Sequence, residues 1–153
     1  MGILTNHFTG PLNFGNMTNL IIACITGGMV SLLVCAVWYH PKVFGTAWMQ
    51  ETGVTAEDAE NGNMPLVFFL AFAIGAYMTY EMKWINHPDE SIAAVLHGMF
   101  HGVKNVAVFG IGALTINALF EHKSPRYILI NIGYWLVVFA VIGALLTSFP
   151  SFK

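Results

Sequence analysis

Charge is what this sequence has least of. Only 9% of its 153 residues are Asp, Glu, Lys or Arg, and 56% are apolar, where soluble domains carry about 25% charged residues. A soluble fold of this length needs polar helix faces to coat its core, and too few positions are polar to supply them. The composition therefore implies lipid as the coat. Basic residues number six and the formal net charge is −2, which leaves no footprint for nucleic acid. No polybasic cluster stands beside an apolar run, so recognition of anionic lipid is not indicated.

Cysteine is equally scarce. Cys24 and Cys35 lie on one apolar run, eleven residues apart. That is about 16 Å of helix, while a disulfide needs Cα atoms within about 7 Å. They are expected as small buried apolar residues rather than a bridge. The sequence also lacks a glycine-rich phosphate loop, a Ser/His/Asp nucleophile arrangement and an HExxH motif, so an enzyme reading has no positive signal. The segment Met1–Asn16 has no Lys or Arg and no small-residue cleavage site follows the first apolar run, so that run is expected to be retained.

Long apolar runs are what the chain does have. They cover Met17–Trp38, Met64–Met82, Ser91–Phe120 and Pro125–Ser148, each with at least the roughly 19 residues that cross a hydrocarbon core of about 30 Å. The expected architecture is all-α: a single domain over 1–153, a polytopic membrane protein of four spans. Trp38 and Tyr39, Tyr80 and Trp84, and Tyr127 mark span ends as interfacial aromatics. His87-Pro88-Asp89-Glu90 is expected to open the third helix and Ser124-Pro125 the fourth, with Ser124 as N-cap. The tight connection between the last two spans makes them an antiparallel hairpin. Lys42, Lys123 and Arg126 stand on one side against Lys83 and Lys153 on the other. This bias places the first and third loops in the cytoplasm and the termini outside.

The first loop, His40–Asn63, is the long one. Val43, Phe44, Ala47 and Trp48 share one helical face, so Pro41–Glu51 reads as a short interfacial helix. Thr55 and Asp58 read as a capping box for a further turn ended by Gly62.

The third run carries polar groups through its middle. At about 100° per residue, Glu90, Ala94, His97, His101, Lys104, Asn105, Gly112 and Thr115 share a face. Lipid does not tolerate such a face, so it is expected to point at protein or at a wet cavity. Gly98 and Gly102 flank it as a small-xxx-small pair. His97 and His101 have the i, i+4 spacing of two metal ligands. Neighbouring acids or thiolates are missing and Lys104 would repel a cation, so no metal and no cofactor are expected. Hydrogen bonding to adjacent helices, a proton relay or substrate pair, and metal or haem ligation remain the readings for the two histidines. Lys104 either snorkels or pairs with neutral groups such as Tyr77, Asn131 or Tyr134.

Two blocks carry a family likeness. One is Trp38-Tyr39-x-Pro41-x-x-Phe44-Gly45-x-x-Trp48-Met49. The other is Asn117-x-Leu119-Phe120-Glu121 followed by Ile130-Asn131-x-Gly133-Tyr134. Together they resemble a bacterial family of small four-span membrane proteins classed as domain of unknown function 1761, in the wording of its Bacteroidetes-type members. The likeness covers most of the chain after its N-terminal tail, which is longer than the family pattern. It implies a topology and supplies no catalytic residues. It also draws attention to Trp38, Phe44, Gly45 and Trp48 as anchors of the surface helix. Asn117, Glu121 and Arg126, with Asn131 nearby, are drawn together as a clamp at the hairpin.

Three function classes follow. The first is an accessory, scaffold or assembly component of the inner membrane, acting as a homo-oligomer or within a larger membrane complex. The second is a small transporter or channel using His97, His101, Lys104 and Asn105. The third is a cofactor- or metal-binding membrane protein.

Overall fold

The computed structural model describes residues 14–84 and 92–148. The expected His87–Glu90 opening of the third helix and most of the N-terminal tail lie outside the described residues. Among the described residues seven α-helices form and no strand occurs. They are α1 (Phe14–Trp38), α2 (Thr46–Thr52), α3 (Ala56–Asn61), α4 (Met64–Glu81), α5 (Ile92–Val106), α6 (Gly112–Phe120) and α7 (Pro125–Ser148). Cys24 and Cys35 are both free thiols on α1.

Among the described residues three helices are long and apolar enough to cross a membrane: Met17–Trp38 within α1, Met64–Glu81 and Pro125–Ser148. The third expected span takes a different form. It is divided into α5 and α6 by a π-helical turn at Ala107–Ile111. The wider turn falls where Gly110 and Gly112 weaken the local preference for α-helix.

Helix ends follow local chemistry. Ser124 Oγ accepts the Tyr127 N–H at 3.1 Å and caps α7. The Thr55–Asp58 capping box forms reciprocally. Asp58 N–H donates to Thr55 Oγ1 at 3.1 Å, and Thr55 N–H donates to Asp58 Oδ2 at 2.9 Å. α6 ends in a Schellman pattern: Lys123 N–H bonds to Ala118 O at 2.8 Å and His122 N–H to Leu119 O at 3.1 Å. The left-handed position of that pattern is held by His122, at φ 55°.

Glycine sets the helix spacing. A Cβ on Gly98 would stand 2.1 Å from the Gly143 carbonyl oxygen, and one on Gly102 would stand 2.0 Å from that of Phe139. α5 therefore lies backbone to backbone on α7, as small-residue seams permit. Gly27 and Gly75 bring α1 and α4 together in the same manner. α1 also packs on α7, and the core centres on Met82, Val138, Phe139, Ile142 and Leu146.

Candidate functional site

The surface helix begins as a π turn, Pro41–Gly45, that runs into α2. Gly45 N–H reaches His40 O at 3.0 Å, and a Cβ on Gly45 would stand 2.2 Å from Tyr39 O, so only glycine fits this reversal. The Trp38 and Phe44 rings lie 4.5 Å apart, and Tyr39 meets Trp48 edge-on at 5.8 Å. Trp38, Phe44, Gly45 and Trp48 thus act together where α1 turns into the surface helix.

The same aromatics hold α7. Trp38 Nε1–H donates to Ile130 O at 3.0 Å, and the Tyr39 hydroxyl donates to Asn131 Oδ1 at 3.1 Å. Asn131 Nδ2 in turn donates to Tyr127 O at 2.8 Å. Trp38 also fills the space that a side chain on Gly133 would need. The two sequence blocks, whose joined residues lie 92 apart in the chain, therefore meet as one interlocked end of the bundle.

Glu51 completes that end. Its carboxylate accepts the Ser124 hydroxyl proton and lies 3.7 Å from the Arg126 guanidinium. A carboxylate at the positive N-terminus of α7 is favourably placed. Arg126 was expected beside Glu121 and is instead paired with Glu51. The reason is that α2 docks on the start of α7, which the loop sequence alone does not reveal. Asn117, Glu121, Tyr127 and Asn131 line a groove of about 170 Å³ at the hairpin, walled by Leu114, Ala118 and Ile128.

On α5 the polar residues divide. Ala94, Gly98, Gly102 and Val106 are the buried face against α7. His97 and His101 are half-buried with ring centroids 4.5 Å apart, edge to face, while Lys104 and Asn105 are exposed. Tyr134 is not brought to them. It is 4% exposed and faces α1, its hydroxyl 3.3 Å from Ser31 Oγ. The Lys104–Tyr134 contact entertained from sequence is not formed, and no hydrogen-bond or ion-pair partner for Lys104 occurs among the described residues.

Register gives Lys104 its depth. Gly98 lies against Gly143 and Gly102 against Phe139, so Lys104 stands level with Val137 on the antiparallel α7. That is the middle of Pro125–Ser148, about 18 Å from either end. A lysine at the centre of a lipid-facing span costs about 2.5–3.5 kcal/mol on insertion scales. His97 and His101 supply two ligand-type side chains on one turn, and no cluster of three or more His, Cys, Asp or Glu that could hold a metal occurs among the described residues.

Among the described residues the fold and site define a class: all-helical, with three membrane-capable helices, an interlocked aromatic end, and Lys104 and Asn105 exposed on α5. Within that class the chain belongs to the family described as Protein of unknown function (DUF1761), which matches residues 22–147. No curated protein and no solved structure matches the chain.

Proposed function

We propose that this is a four-span accessory or assembly protein of a bacterial inner membrane, with its termini in the periplasm, acting through protein contacts rather than through chemistry of its own. The carrying observation is that the polar residues of the two blocks are used to lock helices together, while a charged face of α5 is left uncovered at mid-bundle depth. The first group needs no ligand to explain it; the second calls for a neighbour.

The contact from Glu51 to Ser124 and Arg126 supports the four-span reading. It brings the first loop and the α6–α7 connection to one end of the bundle. If α1 and α4 both cross, the chain between Lys83 and Glu121 must cross as well for those two loops to share a side. Residues 92–120 would reach about 43 Å as a continuous helical rod, enough for the core.

A transport reading would have His97, His101, Lys104 and Asn105 line a wet path. It becomes attractive only if α5 meets α5 of another copy around water. The test of the assembly reading is the mass of the particle extracted into native-membrane nanodiscs. The expected particle holds more than one protein chain, of one kind or two. A single chain in its lipid, at native expression, contradicts it.

A further inference from the structure

We infer that the outer face of α5 around Lys104 is a docking seam for a membrane-spanning helix of another protein that carries a carboxylate at mid-membrane. The inference rests on the four-span assembly reading and names the chemistry of the partner.

Lys104 is exposed and stands level with the middle of α7, far from either helix end. Its stem cannot carry the ammonium to either headgroup layer from there without strong local thinning of the bilayer. No countercharge for it occurs among the described residues of its own chain. The described acids Glu51, Glu57, Asp58, Glu60, Glu81 and Glu121 all lie in the first loop or at helix ends. For the same reason the described residues of a second copy docked through this face would bring another Lys104 and no acid at that depth.

The surroundings of Lys104 fit a helix better than a small anion. Leu96 and Phe100 are exposed two turns and one turn before it on one flank, giving an apolar strip for knob-and-ridge contact beside the charge. Asn105 is exposed next to it, and His101 lies one turn away in contact with the Phe100 ring at 5.7 Å. These groups can add hydrogen bonds to a carboxylate held by the ammonium, which is how intramembrane charges are normally satisfied.

The experiment uses the full chain in phosphatidylcholine vesicles, with a fluorescent protein fused after Lys153. Energy transfer is measured to synthetic Leu/Ala spanning peptides whose central residue is Asp, Asn or Leu. The expected result is association with the Asp peptide at least tenfold tighter than with the Leu peptide. Lys104→Met and Lys104→Gln should both reduce it to the Asn level, Lys104→Arg should keep it, and Lys104→Asp should transfer the preference to a central-Lys peptide. Because Lys104 is exposed, these variants should unfold thermally like the parent. Equal binding of the three peptides, or an Asp preference that survives Lys104→Met, overturns the seam. So does self-association of the labelled chain that is lost in Lys104→Met, which would assign the face to a second copy. Dependence on added phosphatidylglycerol would assign it to a lipid phosphate and overturns the seam too. A native particle of several chains without any Asp preference refutes the seam alone; a single-chain native particle refutes the assembly reading whatever the peptides do.

Discussion

At the residue scale, stability should respond most sharply where backbone geometry leaves no slack. His122 occupies a left-handed conformation that costs a non-glycine residue about 1–2 kcal/mol. His122→Gly should therefore raise stability by about 1 kcal/mol, seen as a higher midpoint of thermal unfolding in detergent. Gly98→Leu has the opposite sign. Its side chain would enter the Gly143 carbonyl, so α5 must lift from α7 at a cost of about 1–3 kcal/mol or more. A cysteine pair placed across α5 and α7 should lose its crosslink in that variant. Asp58 offers a pH test. Hydrogen bonds from the Thr55 side chain and backbone hold its carboxyl below the usual carboxylate range. A depressed folded-state pKa means that the cap is fully formed above the ordinary Asp value of about 3.9 and is lost as pH falls through the lower folded value. The Thr55 and Asp58 amide resonances should shift together in that acid window, and Asp58→Asn should abolish the titration.

At the scale of elements, the surface helix and the α6–α7 hairpin should behave as one unit. The Glu51–Arg126 pair contributes little, since Arg126 is 59% exposed and exposed pairs are worth about 0–1 kcal/mol. The Ser124 bond to the same carboxylate is the stronger one, in the range of about 1.5–3 kcal/mol for bonds to charged groups. Glu51→Ala should accordingly destabilise by about 2 kcal/mol, and Arg126→Ala by less than about 1 kcal/mol, as read from unfolding midpoints. The sequence made some of these elements legible and hid others for a physical reason. Ser124 as a cap, the Thr55–Asp58 box and the helical Pro41–Glu51 segment are local, set by neighbours within a few residues, and each was visible before the structure. The joins from Tyr39 to Asn131 and from Glu51 to Ser124 cross between helices and leave no local pattern. Tyr134 shows the limit plainly. Its place on the same helix as Asn131 made it a plausible companion of Lys104, but the roll of α7 turns it toward Ser31. The division of the third run into α5 and α6 was hidden too, because a π turn differs from an α turn by one residue's pitch and its apolar composition is unchanged.

At the scale of the whole molecule, apolar composition led to the expectation of membrane-crossing helices, and three helices among the described residues have the length and apolarity for it. The candidate site was legible only as residue types. His97, His101, Lys104 and Asn105 could be placed on one face, while their depth emerged from glycine contacts between α5 and α7. The central proposal is that the chain crosses four times, which would carry Lys104 to mid-membrane. The most direct measurement labels single cysteines from one side of intact cells, placed at Glu57 in α3, Lys83 after α4, and His122 in the α6–α7 connection. The account predicts that Lys83 labels from the periplasm while Glu57 and His122 are both protected, and that both label when the membrane is opened. His122 labelling together with Lys83 would mean that α5 and α6 do not cross, and would contradict the claim.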